Sequence, residues 1–325
     1  MPNSNKHLST PDDFVLLAGR ANVPLANKIA SILKKDLDSP ITVFADGEVR
    51  VRISHNLRRK QVFIIQPTSA CVNDHIMELV LMIDAARRAS AKEITAVIPY
   101  FGYSRQDRKE MPRVPISASV VANMFEHAGA DKIVTIDIHS EQQEGFVNIS
   151  WDNLYGSYAL IPAIKKRKLT NLIVASPDKG GVTRAVGYAK LLGAKGIAII
   201  YKERDIALNN KSEALEIVGH VEGKDILLVD DMIDSAGTIV HAANFLKQKG
   251  AKSVRAAATH GLFSGPALER ISNSVMDEVI VTDTIQLKEE AVKNTKITVV
   301  SVANLLAEAI KRINNGDSLS HALIL

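Results

Sequence analysis

Four aliphatic residues in succession, Ile226 to Val229, run directly into two aspartates, Asp230 and Asp231. An unbroken apolar run of this kind reads as a strand covered on both faces, which belongs to a parallel sheet with helices on either side. A turn of small residues follows, from Asp234 through Ser235, Ala236 and Gly237 to Thr238, and then a helical pattern from Ile239 to Lys249. Strand, tight loop and helix start bring unpaired backbone N–H groups and the positive end of the helix dipole to one spot, which favours an anion. Ser235 and Thr238 add hydroxyl donors, and the small residues let a phosphate approach the backbone. Two carboxylates ahead of the loop would repel a bare phosphate, but they suit sugar hydroxyls or a divalent cation. A phosphorylated sugar satisfies both parts. The residues alone also allow an ordinary strand-to-helix turn with a capping aspartate.

The design occurs twice. A strand over 62–66, a helix to Ser90, then Ala91, Lys92 and a strand over 94–98 match a strand over 226–230, a helix to Gly250, then Ala251, Lys252 and a strand over 254–258. Two such βαβ units predict two similar α/β halves, of which only the second carries the acidic loop. A length of 325 residues agrees with two domains. The expected division is a disordered extension over 1–13, an N-terminal half over 14–156 and a C-terminal half with its tail over 157–325. A net charge of +4 without a long basic run argues against nucleic acid or a membrane surface as partner, and suits phosphorylated metabolites. Cys71 is the only cysteine, which excludes an intrachain disulfide and a Cys-based zinc site. No apolar run approaches the roughly 18 residues of a membrane span, and residues 1–13 read as neither signal peptide nor helix, so the expectation is a cytoplasmic protein.

Other segments carry candidate chemistry. Asp46 and Gly47 suggest a hairpin turn between strands over 41–44 and 49–53. Asn73 or Asp74 is placed to cap the helix running to about Ala89. Past the strand over 94–99, Tyr100 to Lys109 mixes aromatics with Arg105, Arg108 and Lys109, which suits a planar base and polyphosphate or simply a solvated loop. The strand over 132–137 ends at Asp137, with His139 just beyond, a position open to a metal or substrate contact as well as to a structural role. Trp151 to Tyr158 reads as the crossover between halves. A Gly-rich turn over 176–181 follows the next strand and offers Asp178 as a magnesium-side carboxylate. Lys202 and Arg204 leave the strand over 196–200 at the base of a polar stretch, 205–213, read as a mobile loop. Cations there suit a phosphoryl-transfer lid. A final helix is expected over 301–313.

The segment Asp230 to Thr238 resembles the 5-phosphoribosyl 1-pyrophosphate (PRPP) loop of phosphoribosyltransferases and PRPP synthases. With Phe44, Asp46, Gly47 and Glu48, then Tyr103 to Asp107, Asp137 to His139, Ser176 to Gly181 and Lys202 to Arg204 preceding it in order, the chain from about Phe14 to Ser320 resembles the ribose-phosphate diphosphokinases of the phosphate-dependent type. The resemblance implies two similar phosphoribosyltransferase-like domains, each a mainly parallel sheet flanked by helices. It implies transfer of the β,γ-diphosphoryl group of MgATP to the anomeric hydroxyl of ribose 5-phosphate, giving PRPP and AMP for nucleotide synthesis. By position, Phe44, Asp46, Gly47, Glu48, Arg105, Gln106 and Asp107 would bind ATP, with the 44–48 segment reaching a neighbouring subunit's base. His139 and Asp178 would contact the Mg2+–nucleotide complex. Asp230, Asp231 and Asp234 to Thr238 would hold ribose 5-phosphate, and Lys202 and Arg204 would act on the transferring group. Homohexamers built from dimers and activation by inorganic phosphate are further implications, with Arg58 and Arg113 matching the regulatory anion site. Three departures stand out. Asp205 to Leu208 replaces a further cation and asparagine, Ser235 replaces the commoner threonine, and Glu141 and Glu144 add negative charge where a regulatory phosphate would sit. A catalytically weak regulatory paralogue and a PRPP-consuming phosphoribosyltransferase are the alternatives.

Overall fold

Each half of the chain builds its own parallel sheet. The computed structural model describes residues 14–203 and 214–320, with the side chains of Lys202, Glu203 and Ala214 left outside the description. Two units result. The first comprises the chain up to Tyr155 together with the chain from Ala303 onward, and the second is Gly156–Val302.

In the first unit the strands are β1 (Phe14–Ala18), β2 (Leu37–Asp38), β3 (Ile41–Val43), β4 (Val49–Val51), β5 (Gln61–Ile65), β6 (Glu93–Ile98), β7 (Lys132–Ile136) and β8 (Ser150–Leu154). Six of them form one sheet in the order β2-β1-β5-β6-β7-β8, parallel throughout, while β3 and β4 make a separate antiparallel hairpin. Helices α1 (Val23–Leu33), α2 (Val72–Arg88) and α3 (Ser117–Ala128) accompany these strands.

In the second unit, helices α4 (Ser157–Lys165), α5 (Val182–Leu192), α6 (Gly237–Gln248), α7 (Ala267–Ser272) and α8 (Glu289–Lys293) accompany seven strands. These are β9 (Ile173–Ser176), β10 (Gly196–Glu203), β11 (Ala214–Val218), β12 (Asp225–Ile233), β13 (Ser253–Gly261), β14 (Glu278–Thr282) and β15 (Ile297–Val300), in the order β11-β10-β9-β12-β13-β14-β15. Only β11 runs antiparallel to its neighbour. Along β12, Ile226 and Leu228 join one apolar cluster while Leu227 and Val229 join another. The uninterrupted aliphatic run is therefore a central strand buried on both faces.

The repeat extends to the hydrogen bonds. Val15 lies opposite Val62 and Val62 opposite Ile94, as Ile173 lies opposite Ile226 and Ile226 opposite Val254. Asp131 Oδ2 accepts from Ile94 N at 2.7 Å, and Asp277 Oδ2 accepts from Val254 N at 2.8 Å. β1 thus corresponds to β9, β5 to β12 and β6 to β13.

Several expectations change. β12 continues through both aspartates to Ile233 rather than ending at Asp230, because β13 goes on pairing it (Met232 with His260, Ile233 with Gly261). Residues expected to cross between halves include β8, an edge strand whose residues Ser150–Leu154 lack an aliphatic run. Neither Asn73 nor Asp74 caps α2, whose first turn begins at Val72 after Cys71 with no side-chain cap bond. Asn73 Oδ1 instead accepts from the Tyr103 hydroxyl at 2.6 Å. The last helix, α9 (Ala303–Asn315), was assigned to the C-terminal half by its place in the chain. It belongs to the first unit, where it packs on α1. Among the described residues, no helix is long and apolar enough to cross a membrane.

Candidate active site

In the second sheet, β9 connects through α5 to β10 on one side, whereas β12 connects through α6 to β13 on the other. The C-terminal ends of β9 and β12 are therefore a topological switch point, the place in an open α/β sheet where a crevice opens for a ligand. Pairing between the two strands extends only to Ala175 opposite Leu228. Beyond that, β12 is held by β13 alone, and Asp230 and Asp231 lie along the freed edge.

Asp231 is buried, and its backbone N–H donates to Asp230 Oδ1 at 2.9 Å. Arg184, in the first turn of α5, places Nη1 3.4 Å from Asp230 Oδ1 and 3.7 Å from Asp231 Oδ1. Desolvation, then the hydrogen bond and charge of Asp231, push the Asp230 carboxyl far above the ordinary carboxylate range, only partly opposed by Arg184. Asp178 adds a further repulsive charge to this pair. A site that gathers this much negative charge gains from a hydroxyl donor or a cation.

Asp178 follows β9. Its Oδ1 accepts from Gly181 N at 3.0 Å, and its backbone oxygen accepts from Ser176 Oγ at 2.6 Å, so the turn into α5 is fixed by its own side chains. Among the described residues, Asp178 Oδ2 has no hydrogen-bond partner. In the second loop, Ala236 holds φ at +59° just before α6, a conformation that turns successive N–H groups toward one concavity. Arg270 Nη1 donates to Ser235 O at 2.9 Å, and Ser264 N donates to Asp234 O at 3.0 Å, so this loop too is braced from outside. A cleft of about 480 Å³ joins the two loops, lined by Asp178, Lys179, Gly237 and Thr238 together with Tyr201 and His241. The structure thus gathers Asp178, the acid pair and the 234–238 loop into one unit. Lys202 belongs to the backbone of β10 opposite Leu215, while Arg204 and the 205–213 stretch lie outside the described residues.

The remaining candidates belong to the first unit. Phe44 to Glu48 form the tip of the β3–β4 hairpin. Phe44 N donates to Glu48 O at 2.8 Å, Gly47 N donates to Phe44 O at 3.0 Å, and Gly47 takes φ +94°, which favours glycine. Asp46 Oδ1 accepts from Glu48 N at 3.0 Å. Phe44 is 46% exposed, with the Arg50 guanidinium 5.3 Å from its ring centre. Arg105 and Gln106 are exposed and Asp107 half-buried. The Gln106 backbone oxygen accepts from Ala118 N and its Oε1 accepts from Ser117 Oγ at 2.6 Å, which ties the segment to the start of α3.

His139 is exposed two residues after Asp137, which takes φ +41° as the chain leaves β7. Arg58 and Arg113 are both exposed. Glu141 accepts from the Tyr155 hydroxyl at 2.9 Å, and burial together with that carboxylate pushes the Tyr155 phenol up to about 12. Burial, then Glu141 and Asp152, raise Glu144 above its ordinary range.

Sequence reasoning missed Arg184, Lys179, Tyr201 and His241, and it missed the counterpart of the crevice in the first unit. The signal for Arg184 was present, since a cation one turn into the helix after a Gly-rich loop faces back toward the strand ends. At the β1/β5 switch point, Arg20 stands in the register position of Asp178 and Gln66 in that of Asp230. Arg20 Nε donates to Glu78 Oε1 at 2.7 Å, and Gln66 Nε2 donates to Glu78 Oε2 at 2.7 Å. Glu78 is fully buried, and Gly19 has no room for a Cβ beside the Gln66 side chain.

Comparison with known proteins shows the family of this chain. Residues 14–129 match the model of the N-terminal domain of ribose phosphate pyrophosphokinase, and residues 205–323 match that of a phosphoribosyl synthetase-associated domain. The ribose-phosphate pyrophosphokinase of Vibrio parahaemolyticus is 51% identical over 95% of this chain and 98% of its own. That of Helicobacter hepaticus is 49% identical over 94% and 98%. A crystal structure of phosphoribosylpyrophosphate synthetase from Mycobacterium smegmatis superposes with a TM-score of 0.88 at 39% identity, covering 94% of this chain and 99% of that one. The chain belongs to the ribose-phosphate pyrophosphokinase family, and it is an enzyme of that family.

Proposed function

We propose that this enzyme transfers the β,γ-diphosphoryl group of MgATP to the anomeric hydroxyl of ribose 5-phosphate, giving PRPP and AMP. The observation that carries the reading is the β9/β12 crevice, in which an acid pair, Asp178 and a small-residue loop line one unit's switch point. The loop from Asp234 to Thr238 takes the 5-phosphate through its backbone amides and the Ser235 and Thr238 hydroxyls. Asp230 and Asp231 accept from the ribose hydroxyls. That exchange relieves a repulsion strong enough to hold a proton on the pair. Once the sugar is oriented, its anomeric oxygen lies in line with the β-phosphorus. The new O–P bond forms as the bond from the β-phosphorus to the α,β-bridging oxygen breaks, AMP departs with that oxygen, and the hydroxyl proton is released. Lys202 and Arg204 stabilise the charge spreading over the transferring group.

Phe44, Asp46, Gly47, Glu48, Arg105, Gln106 and Asp107 bind ATP in this reading. The exposed Phe44 ring offers a face for adenine. Because the hairpin tip is assigned to a neighbouring subunit's nucleotide, the working form is at least a dimer, consistent with a homohexamer assembled from dimers. The donor set is compatible with magnesium. No group of three or more His, Cys, Asp or Glu ligands occurs among the described residues, and Mg2+ bound through one or two protein ligands plus substrate phosphates needs none. Asp178 would be such a ligand in the second unit and His139 one in the first, and a bound ion would neutralise charge on the phosphate oxygens. Arg58 and Arg113 form the regulatory anion site, where Glu141 and Glu144 weaken the hold on inorganic phosphate.

The test is AMP formation by the purified protein from ATP and magnesium, with and without ribose 5-phosphate and with and without inorganic phosphate. AMP that requires the sugar phosphate is the expected result. Absence of AMP in every condition would sink the reading.

A further inference from the structure

Two segments leave the first sheet side by side, because β6 and β7 are parallel neighbours. Residues 100–107 follow β6 and carry Arg105 and Gln106, while β7 leads through Asp137 and His139 into a short 3-10 helix, Glu141–Phe146. The first segment is tied on both sides of Arg105. Tyr103, at φ +65°, donates its hydroxyl to Asn73 of α2, and Gln106 is bonded to the start of α3. Between these ties, the backbone oxygen of Ser104 accepts from Gln143 Nε2 at 2.9 Å, across thirty-nine positions of sequence. Ser104 and Gln143 are both buried. The 3-10 helix is itself anchored, since Phe146 O accepts from Asn123 Nδ2 of α3 at 3.0 Å. Gln143 Oε1, in contrast, is buried without a hydrogen-bond partner among the described residues. An apolar side chain of the same length would fill this position without an orphan oxygen, so packing does not explain a glutamine. The bond to Ser104 does.

We infer that Gln143 is a positioning residue for the nucleotide segment: its amide fixes the Ser104 carbonyl and, through it, the presentation of Arg105 and Gln106 beside the His139 segment. The Ser104 carbonyl and the Arg105 N–H belong to one planar peptide unit, so a bond to the first fixes the direction in which the second and its Cα leave the turn. Without that bond the plane can rotate, and a ligand must reorder Arg105 when it binds. The ligand class affected is the nucleoside triphosphate that the proposed function places on Arg105 and Gln106, and the inference rests on that reading. Ribose 5-phosphate, assigned to the loops of the second unit, is an internal control.

The experiment compares Gln143→Met, Gln143→Glu and Arg105→Ala with the parent, each as the full chain with magnesium. It measures calorimetric binding of α,β-methylene ATP, steady-state AMP formation and thermal melting. Gln143→Met keeps the side-chain length, removes the orphan Oε1 and releases Ser104 O, so the melting temperature should stay within about 2 °C of the parent. Its Kd for the analogue and KM for ATP should rise about three- to tenfold, with kcat and the KM for ribose 5-phosphate nearly unchanged. Gln143→Glu keeps the shape but turns an acceptor toward the Ser104 carbonyl, so its KM for ATP should rise at least as far. A merely structural role would lower the melting temperature and move both Michaelis constants together, and that pattern overturns the inference. Parent-like analogue binding by both Gln143 variants, with binding weakened in Arg105→Ala, also overturns it and leaves the proposed function standing. If Arg105→Ala binds the analogue like the parent, the placement of ATP on this segment fails and the inference falls with it. If Gln143→Met weakens the analogue as expected but the parent forms no ribose 5-phosphate-dependent AMP, Gln143 stands and the proposed reaction fails.

Discussion

The two switch points share strand order, register and connection, yet one is filled from within and the other left open. At β1/β5 the fully buried Glu78 of α2 reaches the strand ends and satisfies Arg20 and Gln66, and every charge finds a partner inside the same unit. At β9/β12 the corresponding positions hold Asp178 and Asp230. With Asp231 alongside, these carboxylates face Arg184, and burial together with Asp231 raises the Asp230 carboxyl well above its ordinary range. The difference teaches that one βαβ architecture yields a structural core or a binding crevice according to a few residues at the strand ends. Charge paired within the fold there means stability, and carboxylates crowded at an open strand edge mean that a ligand is expected.

Substitutions on the two sides should separate cleanly. Lys202→Ala, in the open half, is expected to lower kcat at least about 10²-fold with little change in melting temperature. An unchanged turnover number would remove Lys202 from the reaction. Asp230→Asn comes next. Because burial and Asp231 raise the Asp230 pKa above its unfolded value near 3.8, its contribution to stability is full below that pH and is lost as pH rises through the folded pKa, to about 8. Removing the titration should make the variant gain on the parent by on the order of 2 kcal/mol between pH 4 and 8, read from urea melts. A constant difference across that range would contradict the assigned charge imbalance.

In the closed half, Arg20→Ala should leave activity intact while costing about 1–2 kcal/mol of stability, since it strands a buried carboxylate whose partner is itself half-exposed. A loss of turnover without loss of stability would mean that the first switch point also serves the chemistry. Phe44→Ala should raise the KM for ATP about fivefold, with kcat and melting temperature nearly unchanged. No change in KM would place adenine elsewhere.

The open crevice was legible in the sequence because its signals are local. A doubly buried strand must be aliphatic, and Asp230 to Thr238 are consecutive, so their chemistry shows without a fold. The closed one was not, because Arg20, Gln66 and Glu78 are separated by dozens of residues and meet only through the register of β1 against β5 and the placement of α2. Edge strands escaped for a related reason. β8 reads Ser-Trp-Asp-Asn-Leu and is an edge strand paired on one side by β7, so it lacks the aliphatic run of a central strand. Gln143 holding Ser104 was equally invisible, since residues thirty-nine apart acquire a relation only when β7 pairs beside β6.

The return of α9 to the first unit gives the chain a temporal order. The second unit is one continuous stretch, Gly156–Val302, whereas the first needs both the segment up to Tyr155 and the amphipathic helix that follows Val302. Leu305, Leu306, Ala309, Ile310 and Ile313 of that helix are buried, and it packs on α1. During synthesis the half made first therefore waits for the segment made last, while the half made second can close as soon as it emerges. A ribosome that stops short of Ala303 would release a finished second unit attached to a first unit with α1 uncovered.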